Sequence, residues 1–351
     1  MTKTLPKLVL SASRDIPFSQ LVLSQKNVRR VKAGLSIEDL AEALTTITEV
    51  TIQATLRAVR REVVPPADEA LDFSVIAMGR FGGGELGFGS DADVLYVYEP
   101  NGVDPQRAHE LALQLVAGIR TYSEDHRVPF DLDADLRPEG RNGPLVRSLD
   151  SYAEYYRRWS LSWEAQALLR ARGVAGSVKL IDRFIALADD VRYPVEVAVQ
   201  DLREIKRIKA RVENERLPQG ADRARHLKLG PGGLSDVEWL VQLLQHAHAH
   251  RIPALRTTST LDALEAAREA GLVPDAAAER LRDAWRLASR LRSANTLLSG
   301  QTSDVLPVDR GKLDGIGRLL EYPPRSATLV EEEWLRTARR ARRAFEKLFY
   351  G

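Results

Sequence analysis

The stretch VIAMGRFGGGELGFGSDADVLYVYE, residues 75–99, constrains the fold more than any other part of the chain. Residues 73–79 and 93–98 are rich in β-branched and aromatic side chains and have the composition of buried strands. The segment between them is dense in glycine, which predicts a tight connection. Two aspartates one residue apart, Asp91 and Asp93, open the second run. Residues two apart on a strand point to one face, so their carboxylates project side by side at the mouth of an apolar strand.

Carboxylates that close repel each other unless a cation lies between them. Hard oxygen ligands at a sheet edge suit Mg²⁺, which keeps some waters and takes further oxygens from a nucleotide phosphate. A third acid would come from a neighbouring strand. Residues 128–136, VPFDLDADL, alternate apolar and acidic residues, and Asp131, Asp133 or Asp135 would each serve. Glycine in the preceding loop lets backbone amides approach phosphate oxygens, and Arg80 adds a fixed positive charge. A lone Asp-x-Asp more often caps a strand end. Strand, glycine loop, Asp-x-Asp strand and a further acidic strand in succession favour the metal reading.

Around this unit the sequence predicts helices. Ser36 and Asp39 form a capping-box pattern opening a long helix that Pro65 and Pro66 stop. Asp104-Pro105 starts another, with Leu111, Leu115 and Ile119 on one face. From Asp150 the pattern is helical almost to the end, with apolar stripes at Tyr152, Tyr156, Trp159 and Trp163, at Ile205, Ile208 and Val212, at Val237, Leu240, Val241 and Leu244, and from Trp334 to Leu348. Loops are expected near 173–178, 217–235 and 301–326. Strands early and helices late imply an α+β class: a domain with a small mixed sheet at 36–172, an all-α helical bundle at 173–351, and an N-terminal segment at 1–35.

Composition excludes several classes. Lys and Arg total 51 against 49 acids, which leaves no field to attract nucleic acid. The absence of cysteine rules out disulfides and thiolate metal sites and fits a reducing cytoplasm. No apolar run reaches membrane-spanning length.

The segment AMGRFGGGELGFGSDADV resembles the signature of the DNA polymerase β-type nucleotidyltransferase superfamily, in which a glycine turn precedes an Asp-x-Asp strand. More narrowly it resembles the glutamine synthetase adenylyltransferase family, as do residues 135–172, 208–218 and 226–245. The resemblance implies transfer of AMP from ATP to a tyrosine of glutamine synthetase, as in the carboxyl-terminal half of family members. The opposite half, which phosphorolyses adenylyl-tyrosine, is the alternative, and an inactive rearranged fragment is a second one. It implies Mg²⁺ as cofactor, Asp91, Asp93 and Asp133 as ligands and catalytic groups, and Gly79 and Arg80 as the phosphate-binding turn. Gly82, Gly83, Gly84 and Ser90 would assist in nucleotide binding, with Lys228 and Asp236 contributed by the helical region. A PII-type signal protein is the regulatory partner the family suggests. Residues 13–40, unlike that family, resemble the start of ParB-type partitioning proteins.

Four further features have local readings. Arg137 and Arg141 flank a turn after the acidic run and would neutralise triphosphate charge or form surface ion pairs. Ser235 and Glu238 fit a capping box. His246 and His250, four apart with no acid nearby, read as an exposed helix face. The basic stretches 203–211 and 339–343 read as solvated helix faces that would also suit an acidic partner.

Overall fold

A computed structural model describes residues 36–63, 70–123, 131–159, 161–217, 220 and 222–351. The segment 1–35, which holds all of the ParB-like stretch but residues 36–40, lies outside the described residues. In chain order the elements begin with α1 (Ile37–Val63), β1 (Leu71–Ala77), the short α2 (Gly79–Gly82), β2 (Ala92–Pro100) and α3 (Pro105–Ser123). Next come β3 (Leu132–Asp133), β4 (Val146–Ser148), α4 (Leu149–Trp159), α5 (Ser162–Leu168) and β5 (Arg172–Gly176). Helices follow: α6 (Val178–Arg192), α7 (Val199–Glu215), α8 (Leu234–His248), α9 (Thr260–Glu269), α10 (Asp275–Ser299), α11 (Arg310–Leu319) and α12 (Ala327–Phe349). The fold is α+β.

The sheet runs β3-β2-β1-β5, with β4 also paired to β2. β1 is antiparallel to β2 and β5, while β2 is parallel to β3 and β4, so the sheet is mixed. β1 and β2 read as continuous apolar runs because both faces are covered. Phe73, Val75, Val94 and Tyr96 face a core with Ile52, Leu56 and Val59 of α1 and Leu111, Leu115 and Ile119 of α3. Ile76, Leu95 and Val97 face the opposite core with Tyr152 and Tyr156 of α4 and Phe184 of α6. Asp104 accepts from the amides of Gln106 and Arg107, at 2.9 and 3.3 Å, and so caps α3 as its sequence predicts.

A third core holds α7 to α12 together around Trp285, Trp334 and Phe345. Residues Ile37–Gly351 form one compact unit containing all three cores. Among the described residues, no helix is long and apolar enough to cross a membrane.

Several local expectations fail for identifiable reasons. Residues 172–176, expected partly as a loop, form the strand that pairs with β1, so a boundary between 172 and 173 falls inside it. Part of the expected 301–326 loop is α11, whose three glycines weaken the helical signal. α4 ends at Trp159, which is 68% exposed, so the Tyr152–Trp163 stripe does not continue as one apolar face.

Candidate active site

The site forms where β2 and β3 begin. Parallel pairing sets Ala92 opposite Leu132 and Asp93 opposite Asp133, which brings the two acids alongside. One carboxylate oxygen from each of Asp91, Asp93 and Asp133 lies within 4.8 Å of the others. The chain turns immediately after β3: the Asp135 amide donates to Asp133 Oδ1 at 2.7 Å. This turn breaks the strand alternation that would have aligned all three acids of the 131–135 run. Asp135 is drawn instead to Arg141 at 2.5 Å and Arg137 at 3.5 Å, and Asp131 is exposed outside the cluster.

Burial first, then the charges of Asp91 and Asp133, push the Asp93 carboxyl from its ordinary 3.8 up to about 7. Lys228 opposes the shift, placing its positive charge within reach of the cluster from the helical side. Three hard oxygen donors, one of them held protonated near neutrality by burial and then by its neighbours' charges, fit a divalent cation, which would displace that proton.

The glycine turn stands directly against these acids. The Met78 amide donates to the Asp93 carbonyl at 2.8 Å, and Gly79 adopts φ +50°. A Cβ at Gly79 would lie 2.1 Å from Asp93 Oδ2, so only glycine leaves the carboxylate in place. The rest of the loop departs from expectation. It closes into α2 and a following turn, so the amides of Gly82, Gly83 and Gly84 donate to Met78, Gly79 and Phe81 carbonyls. Those three amides are therefore committed within the turn and are not open to phosphate.

Arg80 also turns inward. Its Nε donates to the Glu85 carbonyl at 2.9 Å, Nη1 lies 3.7 Å from Glu238, and the guanidinium stacks on Trp285. Burial pulls its pKa down, as expected where a cation has left water. Its side chain therefore braces the helical bundle. Ser90 closes the turn before Asp91 by accepting from the Gly87 amide at 3.1 Å. Arg137 donates to the carbonyls of Ala134, Arg141 and Gly143, clamping the loop after β3. Arg141 is 84% exposed.

Asp236 and its neighbours are structural. Asp236 is fully buried, accepts from Lys209 and the Gly232 amide at 2.7 Å each, and pairs with Arg342 at 3.1 Å. Glu213 joins the network through Lys209 and Arg342, at 3.2 and 2.9 Å. The expected solvated faces thus each contribute a cation to an internal network. Ser235 and Glu238 do not form a capping box, since Gly233 is the N-cap of α8. His246 is buried against the Arg192 carbonyl rather than exposed, and burial lowers its pKa.

Sequence reasoning missed a second set of charges beside the site, of which Glu85 and Arg170 are buried. Glu85 accepts from Thr260 and Arg170, and Arg172 donates to the Phe81 and Gly82 carbonyls. The signal was a lone acid in the glycine loop and two arginines in the apolar run ALLRAR, each costly to bury without a partner.

A small mixed sheet presenting three convergent carboxylates beside a glycine turn, with a helical region packed behind it, is the architecture of a nucleotidyltransferase fold. Residues 18–186 match the family model for glutamate-ammonia ligase adenylyltransferase, and residues 206–349 match that for GlnD PII-uridylyltransferase. Three relatives named as bifunctional glutamine synthetase adenylyltransferase/adenylyl-removing enzymes are similar to this chain. The one from Leifsonia xyli subsp. xyli is 59% identical, over 90% of this chain and 31% of its own length. That from Streptomyces coelicolor is 50% identical, over 91% and 32%, and that from Mycobacterium leprae is 47% identical, over 97% and 36%. The chain is thus similar to the glutamate-ammonia ligase adenylyltransferase family, and it spans about a third of the length of these relatives. The family match begins at residue 18, so residues 18–40 of the ParB-like stretch fall within it.

Proposed function

We propose that this chain transfers AMP from ATP to a tyrosine hydroxyl of glutamine synthetase, releasing pyrophosphate. The observation that carries the reading is the convergence of Asp91, Asp93 and Asp133 within 4.8 Å at a strand edge abutting the Gly79 turn. The names of the similar proteins supply the substrate. Asp91, Asp93 and Asp133 would hold Mg²⁺, which when bound lowers the hydroxyl's pKa and neutralises charge on the leaving pyrophosphate.

The chain's own groups divide the remaining work. Asp133, beside Asp93, is the group placed to take the hydroxyl proton as oxygen attacks the α-phosphorus. The backbone at Gly79, where no side chain intervenes, lets a phosphate approach the acids closely. Lys228 supplies positive charge from the helical side of the same cluster. Arg141 is an exposed cation at the rim, within reach of an entering triphosphate. Arg80, Ser90, Arg137 and Gly82 to Gly84 shape the site from behind.

In this reading residues 36–172, completed by the rest of β5, form the catalytic part, and the helices after it cover the nucleotide. The match of residues 206–349 to a PII-uridylyltransferase model supports a PII-type signal protein as regulator. A cytoplasmic location follows from such partners.

The test is incubation with α-³²P-ATP, Mg²⁺ and purified glutamine synthetase. Label on a glutamine synthetase tyrosine, absent with Asp93→Asn, supports the reading. Phosphate-dependent release of ADP from the modified substrate, without attachment, would assign the removing direction instead.

A further inference from the structure

The turn that abuts Asp93 is held at its far end by the helical bundle. At the near end, Gly79 lies against Asp93 Oδ2 and the Met78 amide bonds the Asp93 carbonyl. At the far end, Arg172 donates to the Phe81 and Gly82 carbonyls at 3.3 and 3.1 Å. Gly82 rests on the main chain of Arg170, where a Cβ would sit 1.8 Å from the Arg170 carbonyl oxygen. Four residues therefore span from the metal-site carboxylate to Arg170, with no slack at either end.

Arg170 is itself fixed from across the structure. Its Nη1 donates to Glu85 Oε2 at 3.0 Å and to the Thr258 carbonyl at 2.6 Å, and its Nη2 donates to the Thr260 hydroxyl. The Thr260 amide donates to Glu85 Oε1 at 2.5 Å and its hydroxyl to Oε2 at 2.9 Å. Thr260 is the first residue of α9, so a carboxylate from the glycine loop sits on the amino end of a bundle helix, where the backbone favours negative charge. Glu85, Arg170 and Thr260 are all buried. A buried carboxylate with three donors tolerates little displacement, since any lost bond leaves a charge unsatisfied.

We propose that Thr260, acting through Glu85 and Arg170, is a positioning residue that sets where the Gly79 turn stands against Asp93. The hydroxyl of a bundle helix thus tunes the geometry of the acidic triad without touching it. This rests on the triad being the metal site of the transferase reading above.

Thr260→Val keeps the shape and removes the hydroxyl, while Thr260→Ser keeps the hydroxyl. The readouts on the full chain are Mn²⁺ affinity by calorimetry, kcat and KM for ATP in the label-transfer assay, and the urea midpoint as a check of folding. Losses of about 10–100-fold are typical when a group that orients a metal ligand is removed. Thr260→Val should therefore lower Mn²⁺ affinity about tenfold and kcat at least as much, with KM for ATP changed about twofold or less, and Thr260→Ser should restore both. Wild-type Mn²⁺ affinity in the valine variant, or equal impairment in the serine variant, overturns the proposal. Should the valine variant not fold, Glu85→Gln serves instead: weakened Mn²⁺ binding supports the proposal and unchanged binding overturns it. If the wild-type chain fails to label glutamine synthetase, the functional reading falls, while the Mn²⁺ comparison still decides the role of Thr260.

Discussion

Replacing Asp93 by asparagine should stabilise the metal-free protein at neutral pH, although the residue is central to the proposed chemistry. In the folded state its carboxyl is pushed from 3.8 up to about 7, mainly by burial and then by Asp91 and Asp133. Unfolding frees it to ionise at its ordinary pKa. Between those values the folded protein holds a proton that the unfolded chain releases, so the wild type loses stability as pH rises through that window. The shift corresponds to roughly 4 kcal/mol, and water reaching the half-buried group reduces the figure to about 2–4 kcal/mol. Asparagine never ionises and escapes this penalty. Urea unfolding in EDTA should give nearly equal stabilities for wild type and Asp93→Asn near pH 4, with the variant ahead by about 2–4 kcal/mol at pH 8. Saturating Mg²⁺ should restore the wild type but not the variant, because only a metal-binding folded state gains by mass action. A variant less stable at pH 8, or a difference independent of pH, would refute the account of repelling carboxylates.

Two further outcomes follow from the packing. Gly79→Ala should lose Mn²⁺ binding and transfer together, since its Cβ displaces the Asp93 carboxylate and the positive φ adds about 1–2 kcal/mol of strain; normal Mn²⁺ affinity by calorimetry would contradict the close contact. Lys209→Met should cost about 3 kcal/mol in urea unfolding, at the low end for a broken buried pair because Arg342 still faces Asp236, and adding Asp236→Leu should recover part of that loss.

How much was legible depended on whether an element's signal was local. α1, α3, β1 and β2 could be read because capping residues and side-chain periodicity lie within each segment. The pair Asp91 and Asp93 was legible for the same reason, since the two lie two residues apart where β2 begins. The choice of Asp133 from the resemblance agrees with where β3 places it, because pairing register is a property of two strands together. β5 escaped notice because a five-residue strand with glycine at its second and last positions looks like a turn until β1 is present to pair with it. Lys209 was misread because a charge on a helix ordinarily faces water, and its partner Asp236 is far away in sequence. Arg80 shows the same limit: its residue type suits phosphate, but stacking on Trp285 depends on α10.

The position of β5 bears on how the chain is made. β1 lies in the interior of the sheet, yet Ser74 pairs with Gly176, which leaves the ribosome only after β2, β3, β4 and the helices α2 to α5. Until then a nascent chain carries an unsatisfied, strongly apolar strand edge, the kind of surface that recruits neighbouring chains. Closing the sheet also brings together residues distant along the chain, a topology that slows folding. The edge of β2 that carries the acidic cluster can thus be assembled early, while the opposite flank of the same sheet waits for the chain to return.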